Sequence, residues 1–201
     1  VIRLGVRDRP VTGRSTGPVV TRTWAVNRAL LGDRAIRGLL LAQWLPTAMF
    51  VGAEGVLVPY AADLGVPDAA GTLLAAAAAG MLVGDLVVGR WVSPAWRERL
   101  APWLAAMLAL PPLVFPLRPS VPVAAALLAL ATLGFAYQLG LQRRFVDTVP
   151  VEMRGQAFGL AATGLMTLQG LAMATAGGLA EVMSPATVIA TAGVASLVAT
   201  I

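Results

Sequence analysis

Long apolar segments alternate with short polar ones along most of the chain. A helix needs about 20 apolar residues to cross the ~30 Å hydrocarbon core of a bilayer. The pattern predicts six such spans, at about 38–62, 71–92, 100–117, 123–141, 158–179 and, incomplete, 186–201. The sequence thus predicts an all-α membrane protein, with an Arg-rich loop over 1–37 followed by a six-helix transmembrane bundle over 38–201.

Composition agrees with a membrane protein and narrows the chemistry. The chain is 58% hydrophobic and 12% charged, which leaves less charge than the roughly one quarter of a soluble domain. It has no Cys and no His, so disulfides, Ser–His or Cys–His nucleophiles and most zinc sites are excluded. There is also no phosphate-binding Walker loop. We therefore expect no enzyme activity, no cofactor and no metal.

The arginines predict how the helices are oriented. The net charge of +5 would suit nucleic acid, but the arginines lie between apolar spans and not on one amphipathic face. If the spans cross in turn, 14 of the 15 arginines fall on one side, and only Arg118 falls on the other. The positive-inside rule makes the Arg-rich side cytoplasmic. We expect a multi-pass protein of the cell membrane with a cytoplasmic N-terminus and no nucleic-acid partner.

The segment just before the first span has two interpretations. Residues 23–37 could form a short amphipathic helix on the membrane surface, with Trp24, Leu30 and Leu31 towards lipid. They could also be a solvated linker whose arginines only set the topology, and this second interpretation is preferred.

Glu54 is the first candidate for chemistry, because a carboxylate is costly inside a membrane and must face protein or water. Helical spacing places Gln43, Thr47 and Glu54 on one side of the first span. The three would then line a substrate or proton pathway. Alternatively, Glu54 is held in a hydrogen bond between helices, with Gln138 or a threonine as its partner.

A second candidate is the acid–base pair at the end of the second span. Asp85 lies about one turn before this end and Arg90 lies at its boundary. A pair here could latch one conformation of a moving bundle, or it could be an interfacial ion pair of little energetic weight.

A third candidate is the polar loop before the fifth span. It carries Asp147, Glu152, Arg154 and Gly155. The acids suit the start of a helix, and Arg154 could bridge to Asp147 or to a neighbouring bundle. These residues are therefore candidates for conformational gating.

The remaining candidates concern packing and the fourth span. Small residues at helical spacing allow close helix approach, and they occur at Gly80, Gly84, Gly159, Gly170 and Gly177. Near the end of the fourth span, Tyr137 and Gln138 could contact a substrate or join helices by hydrogen bonds.

Two stretches resemble the major facilitator superfamily (MFS) of transporters. GDLVVGR (residues 84–90) resembles the second-half copy of the cytoplasmic Gly/Asp/Arg loop motif, although Leu86 stands where the motif has its Arg. PVEMRGQAFGL (residues 150–160) resembles the loop into helix eleven. On this resemblance the chain is similar to the central loop and helices seven to twelve of such a carrier.

The resemblance implies an alternating-access carrier, in which each six-helix half is built from two three-helix inverted repeats. Its cavity would be lined by helices seven, eight, ten and eleven, with Glu54, Gln43 and Gln138 as cavity residues. We expect the sequence to be part of a longer protein, whose N-terminal six-helix half is the partner in the bilayer. The expected function is secondary transport of a small solute, with proton-coupled efflux as one form. The alternatives are a membrane scaffold that carries nothing and the permease subunit of an ATP-driven transporter.

Overall fold

The computed structural model describes residues 19–200, with side chains from residue 23, and this part of the chain is helical without strands. The prediction of an all-α protein is confirmed. Short 3₁₀ segments extend or join some of the helices, at Pro111–Leu117, Gly134–Ala136 and Val151–Met153. The α-helices are α1 (Val19–Gly32), α2 (Arg34–Glu54), α3 (Leu57–Asp63), α4 (Ala69–Trp91), α5 (Pro94–Ala109), α6 (Val121–Leu133), α7 (Tyr137–Thr148), α8 (Arg154–Ala180) and α9 (Pro185–Thr200).

Within residues 19–200, five helical segments are long and apolar enough to cross a membrane. They are Arg34–Asp63, Ala69–Trp91, Pro94–Leu117, Val121–Thr148 and Val151–Ala180, and the apolar helix α9 is shorter. These segments are compatible with a membrane helical bundle.

Local chemistry explains where several of these segments begin, change helix type and end. The Asp33 carboxylate caps the start of α2 by accepting hydrogen bonds from the backbone N–H groups of Ala35 and Ile36, at 2.9 and 3.0 Å. Prolines at the start of Pro111–Leu117 remove backbone donors, and the chain continues there as a 3₁₀ helix after α5. Arg118 ends this segment in a left-handed conformation, with φ at 52°.

The helices pack in pairs around a core of aromatic and small side chains. Helix α4 packs on α6, α2 lies against α8 and α9, and α5 packs on α7. Phe50 of α2 meets Phe135 edge to face, with ring centroids 5.4 Å apart. In the α4–α6 contact, a Cβ added to Gly80 would overlap the Ala129 carbonyl, and one added to Gly84 would lie 2.6 Å from the Leu133 carbonyl oxygen. Only glycine permits this close approach of the two backbones.

Helix α1 differs from the preferred linker interpretation, although residues 1–18 of the Arg-rich loop lie outside the described residues. Leu30 is buried against the α2–α8 region, and Trp24 is 71% exposed. The Gln156 side-chain amide of α8 donates a hydrogen bond of 3.0 Å to the side-chain carbonyl of Asn27. Thus Leu30 faces protein and not lipid, because α1 docks on the start of α8.

Helices α4 and α8 leave most of their surface uncovered. In the most apolar part of each segment, 28% of the α4 residues and 6% of the α8 residues are buried. Within the described part of the chain, no atom lies within 4 Å of a Cβ added at Gly159, Gly170 or Gly177. Nothing in residues 19–200 therefore packs against these three glycines of α8.

Candidate functional site

A cleft of about 380 Å³ opens between α2, α4, α7 with its preceding 3₁₀ turn, and α8. Its polar lining residues are Gln43, Asp85, Gln138 and Gln142. The rest of the wall is aliphatic or aromatic, and its aromatic residues are Trp44, Phe135, Phe145 and Phe158. The cleft combines apolar walls with a few polar groups, as small-molecule sites commonly do.

A chain of hydrogen bonds joins α2 to α7 beside the cleft. The Tyr137 hydroxyl donates to the Gln43 backbone carbonyl at 2.9 Å and lies 2.9 Å from the Thr47 hydroxyl. The Gln138 amide donates to the Thr47 oxygen at 2.8 Å. Because a carbonyl only accepts, the donors run in one direction, from Gln138 through Thr47 and Tyr137 to Gln43. Such a chain fixes the relative position of the two helices at Pro46, which lacks a backbone donor.

The structure therefore brings together four of the five residues predicted for a substrate or proton pathway. Gln43 and Gln138 line the cleft, while Thr47 and Tyr137 are buried in the hydrogen-bond chain beside it. The Gln43 amide nitrogen is buried and has no hydrogen-bond partner within residues 23–200. It is the polar group of this cluster that the described protein atoms leave unsatisfied.

Glu54 is the predicted pathway residue that does not line the cleft. It is half-buried at the end of α2, just before the break at Gly55. It shares a helix side with Gln43, but eleven residues of helix separate the two by about 16 Å along the axis. In the described part of the chain its carboxylate has no hydrogen-bond or ion-pair partner, and the Gln138 amide donates to Thr47.

Asp85 lines the cleft and does not pair with Arg90. Five residues of helix turn the two side chains about 140° apart, so Arg90 points to a different side of α4 and is exposed. Arg97 caps the end of α4, since its guanidinium donates to the carbonyls of Val88, Gly89 and Val92 at 3.0, 2.6 and 2.8 Å. Among the described residues the Asp85 carboxylate has no cationic partner.

The loop before α8 also pairs differently from the prediction. Asp147 lies 3.6 Å from Arg143, one turn earlier on α7, and not against Arg154. The Arg154 guanidinium donates to the Val149 carbonyl at 3.3 Å, which holds the turn between α7 and α8. Glu152 is exposed, and a Cβ added to Gly155 would meet no described atom within 4 Å. Among residues 23–200, the hydrogen bond made by the Arg154 side chain thus lies within its own loop, and its predicted bridge to Asp147 is not formed.

Sequence reasoning missed the aromatic wall of the cleft. Trp44 donates its indole N–H to the Ala161 carbonyl of α8 at 2.8 Å, and its ring fills the space beside Gly164. The rings of Phe145 and Phe158 meet edge to face, with centroids 5.7 Å apart. The available signal was Trp44 itself, because a tryptophan inside an apolar helix needs a partner for its N–H.

Within the described residues, no cluster of three or more acidic side chains that could hold a metal ion is present. Comparison with family models, curated proteins and solved structures finds no match to the chain.

Proposed function

We propose that this chain is one six-helix half of an MFS-type secondary carrier, which moves a small solute across the cell membrane by alternating access. The observation that carries the proposal is the cleft between α2, α4, α7 and α8, with its few polar groups set in apolar walls. These helices belong to the first, second, fourth and fifth apolar spans. They correspond to the helices that line the cavity in the resembled family.

The uncovered surfaces of α4 and α8 support a second half that packs against this one. Their apolar residues and the glycines of α8 would meet six further helices of the same polypeptide in the bilayer. In this arrangement α2–α5 and α6–α9 form the two three-helix repeats, with the Arg-rich end in the cytoplasm.

The candidate residues divide into three roles in this proposal. Gln43, Gln138 and the hydrogen-bond chain through Thr47 and Tyr137 shape the substrate cleft. Glu54, which lies beyond the cleft, couples transport to protons. The gating group lies at the Arg-rich end and consists of Arg90, Asp147, Glu152, Arg154 and Gly155. Asp85, the predicted gating partner of Arg90, lines the cleft and is assigned to it.

Transport by the intact natural polypeptide in proteoliposomes tests the proposal. The vesicles are loaded with a defined mixture of small organic solutes, and mass spectrometry follows their loss with and without an imposed pH gradient. We expect at least one solute to leave faster than from protein-free vesicles. If transport is coupled to protons, the imposed pH gradient should speed this loss further. Glu54→Gln should abolish that further increase, because an amide is similar in shape but cannot carry the proton.

The matched control is Glu181→Gln, the same change in the exposed turn after α8, which should transport like the wild type. A folded, inserted protein that releases no solute would contradict a carrier and favour a scaffold. An unchanged response to the pH gradient in Glu54→Gln would contradict the coupling role.

A further inference from the structure

We propose that the solute held in this cleft is a monovalent organic cation with a compact aromatic or alkyl body, bound with its positive charge beside Asp85. The inference rests on the proposed function, since it takes the cleft as the substrate site, and it adds the chemical class of the solute.

The charge of the cleft is the first argument. Asp85 is the one ionisable side chain among the described residues that line it, and it is an acid. A partly buried carboxylate is stabilised by a cation, yet none of the described arginines pairs with Asp85. Two of these arginines have other partners: Arg97 binds the end of α4, and Arg144 lies 3.0 Å from Glu98. Arg90 is exposed and points about 140° away from Asp85 around α4. A positively charged solute would supply the missing countercharge.

The aromatic wall is the second argument. Aromatic faces attract organic cations, and quaternary ammonium groups are commonly recognised in this way. Phe158 lines the cleft, meets Phe145 and is 43% exposed overall, so it is the aromatic residue of the cleft with open surface. The Trp44 indole N–H is already bonded to Ala161. Trp44 is also only 8% exposed, so it forms an apolar boundary of the cleft and offers no free donor.

The charges of the lining residues disfavour an anion. No Arg side chain lines the described cleft, and the chain has no Lys or His. The amides of Gln43, Gln138 and Gln142 carry both donors and acceptors, so they do not select the sign of the solute's charge. The cleft volume of about 380 Å³ is near the lower end of ligand pockets and suits a small body of about one ring.

Equilibrium dialysis of the purified natural polypeptide with radiolabelled benzyltrimethylammonium tests this inference. Unlabelled phenylacetamide and phenylacetate, one neutral and one anionic aromatic probe, serve as competitors. We expect saturable binding of the cation and at least about tenfold weaker competition by both others. Asp85→Asn should weaken cation binding by about tenfold or more, because it removes the charge and keeps the shape.

Asp68→Asn is the matched control, since Asp68 lies exposed at the other end of the same helix and makes no side-chain capping bond. It should bind the cation like the wild type. Phe158→Leu keeps apolar volume but removes the π face, so it should weaken cation binding several-fold. This second variant decides the question if Asp85→Asn does not remain monodisperse.

Equal binding of the cation by wild type and folded Asp85→Asn, or equal competition by phenylacetamide, would overturn the inference. Binding is measured without transport, so the two proposals fail separately. A protein that transports other solutes but does not bind the cation overturns only this inference. A protein that binds the cation at Asp85 and transports nothing overturns only the carrier proposal.

Discussion

Two buried tyrosines differ in one respect, the partners of their hydroxyl groups. Tyr137 is bonded to Gln43 and Thr47, while the Tyr60 hydroxyl is buried without a partner among the described residues. Removing a hydrogen-bonded hydroxyl leaves its buried partners without that bond, which costs stability. Removing a buried hydroxyl that has no partner removes the cost of taking that group out of water. The same substitution should therefore lower stability at Tyr137 but not at Tyr60.

We expect Tyr137→Phe to lower the free energy of unfolding by about 1 kcal/mol, a typical value for a hydrogen bond between membrane helices. Tyr60→Phe should leave the stability unchanged or raise it. Unfolding of both variants by a denaturing detergent, followed by circular dichroism, makes the comparison. Equal losses at the two positions would show that the hydrogen-bond chain contributes nothing beyond ring packing.

The sequence identified the polar residues of the candidate site, but it did not predict which of them lie together in space. Helical periodicity placed Gln43 and Thr47 on a common side of α2. The Thr47 side chain bonds to Tyr137 and Gln138, whereas Gln43 bonds to Tyr137 through its backbone carbonyl and lines the cleft. It also joined Glu54 to them, because periodicity reports the angle around an axis and not the height along it. The cleft occupies only a short stretch along the axis of α2. It therefore omits Glu54 at the end of that helix, and it includes Asp85 from another helix.

At the scale of elements, the α4–α6 contact depends on the absence of side chains at two glycines. A Cβ on Gly80 would overlap the Ala129 carbonyl and the Thr132 hydroxyl, and backbone cannot move away as a flexible side chain can. Gly71 lies in the first turn of the same helix with no atom within 4 Å of an added Cβ. One helix thus offers a crowded glycine and an open one.

Gly80→Ala should destabilise the protein by about 1–3 kcal/mol, since it forces α4 away from α6. Gly71→Ala should be neutral or stabilising by up to about 1 kcal/mol, because alanine favours the helix. Detergent unfolding midpoints of the two variants test this. Wild-type stability in Gly80→Ala would mean that the two helices do not approach this closely.

The positions of the helices could be predicted from the sequence more readily than which helices pack against each other. Apolar runs predicted where helices form, because this depends on local chemistry. The docking of α1 was not predictable in the same way. Leu30 is apolar in either environment, and only the placement of α8 beside it decides that it faces protein.

At the scale of the whole molecule, the cleft with its polar lining residues lies between helices that are poorly covered by the rest of the protein. The helices that line the cleft include the two least covered ones, α4 and α8. A second half packed on these helices would close the open side of the cleft with its own residues. The sequence could not predict this relation, because it depends on which helices are neighbours in space and not on any single span.

The proposed orientation makes the two ends of one segment chemically distinguishable. Ser93 precedes α5 at the Arg-rich end, and Ser120 follows the 3₁₀ segment Pro111–Leu117 at the other end. Both serines are exposed residues that precede a helix and make no side-chain capping bond, so replacing either hydroxyl by a thiol should not disturb the fold. The chain has no native Cys, so each single substitution introduces a unique label site.

We expect a membrane-impermeant maleimide to label Ser120→Cys in intact cells and Ser93→Cys only in inverted membrane vesicles. The physical reason is that arginines are retained on the cytoplasmic side, and the α5 segment is long enough to separate the two turns by a bilayer. Labelling of both cysteines from the same side would show that this segment does not cross the membrane. Labelling of Ser93→Cys in intact cells and of Ser120→Cys only in inverted vesicles would show that the segment crosses the membrane in the inverted orientation. The proposed gating end would then face outwards.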